Sequence, residues 1–242
     1  RVGCEGLISS CNGFPKNVPS CSVANNSAFY FDVLYPFQDL VIKAISQAET
    51  EFYLTGGTAA SRGYLEHRFS DDLDYFVNDD NRFGLWVERI IAALSSEWRC
   101  SVLMKEERFA RLNLVQENFS LKIEMINDVP ARIGDVQNHP ILGRLDTAEN
   151  ILANKVTALL DREEPKDFAD IWGFCFQKNL SLQDAITGAQ GKAIGIFPAD
   201  LARALCSVEK TDWETIRWIK APPEDVFISQ LNQLGESLLL IE

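Results

Sequence analysis

The sequence predicts an α+β protein: a mixed sheet with flanking helices, followed by a helical C-terminal region. Three observations lead there. Short apolar or alternating runs, bounded by turn residues, cluster between residues 52 and 126. Apolar residues at three- and four-residue spacing dominate after residue 146. Between these regimes stand Pro130, Gly134, Pro140 and Gly143, a density of breakers that marks a loop region or boundary. The chain therefore divides into an irregular segment over 1–28, a sheet-bearing domain over 29–145, and a helical region over 146–242 that completes a cleft.

The 242 residues suffice for one large domain or two small ones, and 46% hydrophobic with 24% charged residues is the composition of an ordinary globular protein. No apolar run approaches the ~20 residues that span a membrane, and no basic-then-apolar leader opens the chain. A cytoplasmic protein is expected. The cysteines Cys4, Cys11, Cys21, Cys100, Cys175 and Cys206 form no Cys-x-x-Cys pair, and His67 and His139 are the sole histidines, which argues against zinc. Free buried thiols are the default, and a disulfide among the first three is possible but not required. The net charge of −12 argues against a broad nucleic-acid-binding surface, while a local basic groove stays open.

In chain order, Ser, Asn, Gly, Cys and Pro dominate residues 1–28, which are read as irregular. After Pro36 the spacing predicts a helix with Phe37, Leu40, Val41, Ala44 and Ile45 on one face. Phe52-Tyr53-Leu54 suits a strand, Gly56-Gly57-Thr58 breaks it, and Ala59 to Glu66 reads as helix. Arg82–Trp98 is a further helix, carrying Leu85, Ile90, Ala93 and Leu94. Strands are expected over Ser101–Lys105, Phe109–Gln116 and Ser120–Ile126. Asp146 with Glu149 suggests an N-cap and its capping-box partner. Ile151, Leu152, Lys155, Ala158, Leu159 and Arg162 follow at helical spacing, and Pro165 ends that helix and opens the next. Shorter helices, broken at Pro198 and Pro222-Pro223, complete the chain.

The stretch from Phe52 to Phe76 carries the chemistry. It ends in Asp72-Leu73-Asp74-Tyr75-Phe76. Residues two apart on a strand share a face, about 6–7 Å apart, so Asp72 and Asp74 point together while Leu73 and Tyr75 enter a core. Two carboxylates on a rigid strand make half of an octahedral Mg²⁺ site. The Gly-Gly-Thr turn offers unhindered backbone N–H groups at a helix start, where phosphate binds well. A metal pair and a phosphate cradle in one unit point to nucleotide chemistry. Separately, each is weak: a Gly-Gly is usually a tight turn, and an Asp-x-Asp is usually a solvated strand edge.

A strand, then Gly-Gly-Thr, then Asp-x-Asp after a short helix resembles the signature of the DNA polymerase β-like nucleotidyltransferase superfamily. The finer pattern is Gly56-Gly57-Thr58-Ala59 followed by His67-Arg68-x-Ser70-x-Asp72-Leu73-Asp74-Tyr75-Phe76. It resembles the AbiEii/AbiGii-type nucleotidyltransferase toxins of bacterial toxin–antitoxin and abortive-infection systems. Later, Lys155 on one helix and Lys166-Asp167-x-x-Asp170 on the next resemble the family's later motifs, with Lys166 where Arg is commoner. The resemblance covers roughly residues 52–172.

The resemblance implies a polymerase β-like fold and Mg²⁺, with two ions, held by Asp72, Asp74 and a third carboxylate. Glu124 is the candidate for the third, because it lies in an apolar-acidic-apolar strand; the family more often has Asp there. An exposed strand residue paired with Lys122 or Arg111 is the competing reading of Glu124. Gly56, Gly57, Thr58, Arg68 and Ser70 are implied as nucleotide-binding. Lys155 fits the triphosphate, where an ammonium neutralises developing charge, and Asp170 fits as the residue that orients Lys155 or Arg162. Asp72, Asp74, Glu124, Lys155 and Asp170 are thus the candidate catalytic residues. His67 reads as structural, Asp71 as solvated or a cap, and Asp167 and Lys166 as part of a surface salt-bridge network.

The implied activity moves NMP from an NTP to an acceptor hydroxyl. The resemblance further implies an acceptor such as the tRNA 3′ end or another RNA, and a toxin whose antitoxin is a separate protein. Two rivals stay open: an enzyme modifying a small molecule, as aminoglycoside nucleotidyltransferases do, and an inactive module that binds nucleotide or a partner.

Overall fold

The computed structural model describes residues 27–239. The reading of 1–28 as irregular, and any pairing among Cys4, Cys11 and Cys21, falls almost wholly outside these residues. Cys100, Cys175 and Cys206 are free thiols.

Seven strands form one mixed sheet: β1 (Tyr53–Thr55), β2 (Leu73–Asn78), β3 (Arg99–Lys105), β4 (Phe109–Val115), β5 (Ser120–Asp128), β6 (Gln137–His139) and β7 (Gly143–Leu145). Their spatial order is β3-β4-β5-β2-β1-β7-β6. β2 runs antiparallel to β1 and parallel to β5, while β1 and β7 run parallel. The long strands fall where alternation placed them. β6 and β7 were expected to be loop; their three residues each are too short for a periodic signal, and pairing of Leu54 with Leu145 makes β7 a strand, on which β6 pairs in turn.

Alternation gives the sheet two unlike faces. Leu73, Tyr75 and Val77 of β2, Leu121, Ile123 and Met125 of β5, and Ala110, Leu112 and Leu114 of β4 are buried in the core. The opposite face carries Asp74 and Phe76, Lys122, Glu124 and Ile126, and Arg111.

Helix α1 (Tyr35–Gln47) begins with Pro36 in its first turn, continuing a π-helical turn over Tyr30–Leu34. Its buried face is corrected from the expectation: Leu40 is 56% exposed and Gln38 is fully buried. The Gln38 amide donates to the Asp71 carbonyl at 2.8 Å and accepts from Arg62 at 3.0 Å. Polar support of the 70–71 turn thus replaces an apolar contact. Helix α2 (Gly56–Thr58) widens into a π-helical stretch, Ala59–Leu65, which stops at Glu66 in the left-handed region. In α3 (Phe83–Ser95), Phe83, Trp86, Val87, Ile90 and Leu94 are buried, whereas Leu85 points outward at 56% exposure.

Helix α4 (Ala148–Arg162) starts one residue later than expected. Thr147 is its N-cap, accepting from the Asn150 N–H, and Asp146 is not a cap at all. The Asp146 carboxylate is fully buried and accepts from Thr55 at 2.7 Å, from Arg132 at 3.1 Å and from Asn150 at 2.9 Å. It ties the start of α4 to the end of β1. Pro165 opens α5 (Pro165–Trp172) at its first turn. The chain continues through α6 (Leu182–Gln190), α7 (Pro198–Cys206), α8 (Lys210–Thr215) and α9 (Glu224–Leu239). Among the described residues no helix is long and apolar enough to cross a membrane.

Candidate active site

A cleft of about 270 Å³ opens where the polar face of β2 and β5 meets α4. Local periodicity builds both walls. On the sheet, Asp74 and Glu124 are direct register partners on parallel strands, and Phe76 and Ile126 are partners two residues on. On the helix, Ile151, Asn154, Lys155, Ala158 and Arg162 recur every three or four residues, so one stripe of α4 faces the cleft. Gly56, Gly57, Ser70, Asp71 and Asp72 close a third side.

The glycines matter sterically. Gly56 sits at φ +65, and a Cβ there would stand 2.2 Å from the Asp74 Oδ2 atom. A Cβ on Gly57 would stand 2.9 Å from both the Arg68 guanidinium and the Ser70 hydroxyl. Only glycine lets the backbone come this close to the carboxylate and the basic group.

Among the carboxylates, Asp74 is pushed up to about 6 by burial, then by Glu124 and Asp72. Glu124 accepts from Arg111 Nε at 2.7 Å and lies 3.3 Å from Lys122, whose ammonium is 2.9 Å from Asp72. Both readings of Glu124 are thus present in one side chain: it pairs with Arg111 and Lys122, and it faces Asp74 inside the cleft. Among the described residues no three His, Cys, Asp or Glu side chains already stand as a metal-ligand cluster; Lys122 and Arg111 supply the positive charge between them. The donor set nonetheless fits a hard divalent cation. Asp72, Asp74 and Glu124 all offer carboxylate oxygens to the cleft, and the Asp74 pKa is raised first by burial and then by the Glu124 and Asp72 charges, a penalty that a bound cation would relieve.

Behind the cleft lies a buried ionic network. Asp170 is fully buried and binds Arg68 through both oxygens, Nε–Oδ1 and Nη2–Oδ2 each at 2.7 Å. Lys155 lies 2.6 Å from Asp170 and 2.8 Å from Asp167. Asp167, also fully buried, binds Arg162 at 2.8 Å. Burial opposes the charge of Asp170, yet Arg68 and Lys155 hold its carboxyl well below the usual range. Burial likewise opposes the Lys155 charge, and Asp170 and Asp167 outweigh it, raising that pKa. His67 is pushed down by burial, so its neutral imidazole donates from Nε2 to Asp170 at 3.0 Å. This agrees with a structural role for His67.

The sequence-derived candidates therefore separate into two layers. Gly56, Gly57, Arg68, Ser70, Asp72, Asp74, Glu124 and Lys155 all line the cleft. Thr58 and Asp170 do not. Thr58 is fully buried, donates to the Asp72 carbonyl and shares a 3.0 Å hydrogen bond with the Ser70 hydroxyl, so it braces the turn from behind. Asp170 pairs with Lys155 and Arg68, and it reaches Arg162 only through Asp167.

Two features escaped the sequence reading. Asp167 is a buried hub instead of a surface residue; its signal was the three-residue spacing to Asp170, which puts both on one face of α5. Lys166, by contrast, is the surface ion-pair residue that the sequence suggested: it binds Glu164 at 2.7 Å on the cleft rim. Asp71 keeps a side chain that is 42% exposed, as the solvated reading held, but Arg217 and the Tyr30 hydroxyl also hold it. No local pattern near Arg217 announces that contact.

This fold and cleft define a nucleotidyltransferase. The family model described as "Nucleotidyl transferase AbiEii toxin, Type IV TA system" matches residues 40–175, and the chain belongs to that family. Among solved structures, the nucleotidyltransferase toxin MenT4 from Mycobacterium tuberculosis is similar at 15% identity and a TM-score of 0.63, with 92% of this chain and 87% of that chain covered. JHP933 from Helicobacter pylori is similar at 18% identity and a TM-score of 0.58, with 83% and 91% covered. These two likenesses concern the fold. No curated protein matches the chain.

Proposed function

We propose that this chain is a Mg²⁺-dependent toxin enzyme that moves a nucleoside monophosphate from an NTP to an acceptor hydroxyl. The acceptor oxygen bonds to the α-phosphorus, the α–β bridging bond breaks, and pyrophosphate leaves. One observation carries this reading. In a chain of net charge −12, the cleft is lined by six basic side chains (Arg68, Lys122, Lys155, Arg162, Lys166, Arg217) against four acidic ones (Asp71, Asp72, Asp74, Glu124). A cleft whose lining carries more basic than acidic side chains, with Asp72, Asp74 and Glu124 facing into it, suits a polyanion with a bound cation.

Asp72, Asp74 and Glu124 would hold the Mg²⁺, two ions in this proposal, which supplies activation of the hydroxyl and neutralisation of the phosphates. Gly56 and Gly57 let phosphate approach the backbone, and Ser70 offers a hydroxyl donor. Lys155, fixed between Asp167 and Asp170, presents a positioned ammonium to the triphosphate. Arg68 is held by Asp170 beside Gly57. Residues 29–145 act in this account as the transferase domain, and 146–242 as the helical region that completes the cleft.

The acceptor proposed is RNA, with the tRNA 3′ end as the first candidate, and the cognate antitoxin is a separate protein. The basic cleft rim favours RNA over an uncharged small molecule. Incubating the protein with each labelled NTP, Mg²⁺ and total RNA tests this. Label should enter RNA, and Asp74→Asn should abolish it with the fold intact. Label on a small molecule would replace the acceptor; no transfer with any NTP would favour a binding module.

A further inference from the structure

A second pocket, of about 170 Å³, lies on the other side of the sheet from the catalytic cleft. Tyr75 sets that side. It follows Asp74 on β2, so the two side chains leave the strand in opposite directions. Ser46 of α1, Phe52, and Asn138, His139 and Arg144 of the β6–β7 hairpin stand around the same space. Ser46 and Asn138 are exposed, so the pocket opens to solvent.

The Tyr75 hydroxyl is buried and has no hydrogen-bond partner among the described residues. Its position follows from the strand order. β7 lies two strands away from β2, about 10 Å at the usual spacing. A Tyr75 ring that shares a pocket with Arg144 and His139 must therefore reach it with its far end, which carries the hydroxyl. Burial raises the Tyr75 pKa, so the group keeps its proton and can donate.

Two further donors stand with it. The His139 Nδ1 atom accepts from the Ile141 and Leu142 N–H groups at 3.2 and 3.0 Å. The ring proton of the neutral imidazole is thereby assigned to Nε2. Arg144 binds Glu51 through Nη2 at 2.5 Å, while its Nε is buried without a partner. Among the described residues that line the pocket, none carries a carboxylate. A buried donor left unmatched costs free energy, and three donors with no anion among them favour a ligand rich in acceptors.

We propose that this pocket binds a small carboxylic acid in its ionised form, with the Tyr75 hydroxyl and the His139 Nε2–H as donors and Arg144 as the cation beside them. A carboxylate fits because it only accepts and has two oxygens to share among the donors. The volume is well beyond what a single water fills. The site is independent of the nucleotidyl-transfer reading, since none of its groups faces the cleft.

Sodium acetate titrated into the full chain tests this, followed by saturation-transfer NMR and by thermal melting. Sodium chloride of equal ionic strength and neutral acetamide are the controls. Acetate should bind saturably and raise the melting temperature, and neither control should. Tyr75→Phe should weaken acetate binding about tenfold, the loss of one hydrogen bond to a charged group. His139→Asn keeps an acceptor near the Nδ1 position and removes Nε2, and it should weaken binding similarly. Without acetate, Tyr75→Phe should melt at or above wild type, because it deletes an unmatched hydroxyl from a ring that stays packed. A lower melting temperature would mean that water already satisfies the hydroxyl, and the proposal fails. It fails equally if acetate does not saturate, if Tyr75→Phe binds acetate as wild type does, or if chloride or acetamide binds as well. A blocked Ala-Glu-Ala peptide distinguishes a free acid from a protein side chain. It should bind no tighter than acetate; tighter binding would give the pocket to a protein partner and overturn the assignment to a small acid.

Discussion

Asp170 and Arg68 are joined by two parallel hydrogen bonds of 2.7 Å, between side chains that are respectively fully and almost fully buried. A carboxylate in this position is a brace for the cations around it, not a group that meets substrate. Replacing it with Asn leaves Arg68 and Lys155 buried without their shared counter-ion. Breaking such a pair costs about 3–5 kcal/mol. Asp170→Asn should therefore lower the urea midpoint sharply and reduce NTP use together. A variant with wild-type stability would mean that the network carries little of the fold.

Lys155 tests the front of the same network. Its ammonium both pairs with Asp167 and Asp170 and lines the cleft. Lys155→Ala should weaken NTP use strongly, since a positioned charge on the transferring phosphoryl group supplies several kcal/mol. Lys155→Arg should rescue only part, because a planar guanidinium does not reproduce a compact point charge. Steady-state kinetics across NTP concentration reads both. Full rescue by Arg would show that charge alone matters.

Asp74 gives a pH dependence. Its pKa is raised to about 6, so the folded chain binds a proton that the unfolded chain has already lost. Stability of the metal-free protein should then fall as pH climbs from about 4 through about 6. Asp74→Asn should remove that slope and melt higher than wild type at pH 8. Mg²⁺ should raise the wild-type melting temperature more at pH 8 than at pH 5, because the proton competes for the same carboxylate. A flat wild-type profile over this window would count against a raised Asp74 pKa.

Glu124 divides between two roles. As a metal ligand it acts at the attacking hydroxyl, so Glu124→Gln should lower kcat more than it raises KM. As a partner of Arg111 and Lys122 alone, it should change neither. Single-turnover measurements at saturating NTP distinguish the outcomes.

What the sequence determined by itself was what repeats locally. The two-residue alternation at Leu73–Val77 and Leu121–Ile126 assigned Asp74 and Glu124 to the non-core side of their strands. The three- and four-residue spacing from Ile151 to Arg162 assigned Lys155 and Arg162 to nearby faces of one helix. Such patterns need only the geometry of a strand or a helix, and that geometry is the same wherever the element packs. The tertiary structure alone decided what faces what. The register that sets Asp74 against Glu124 joins strands with β3 and β4 between them in sequence. Asp146 became a buried tie between β1 and α4 because Thr55, Arg132 and Asn150 converge on it. Asp167 went inward because Lys155 and Arg162 were there to meet it. Arg217 reached Asp71 from 146 residues away. Each contact depends on burial and pairing between segments that carry no mark of one another, so only the folded chain could place them.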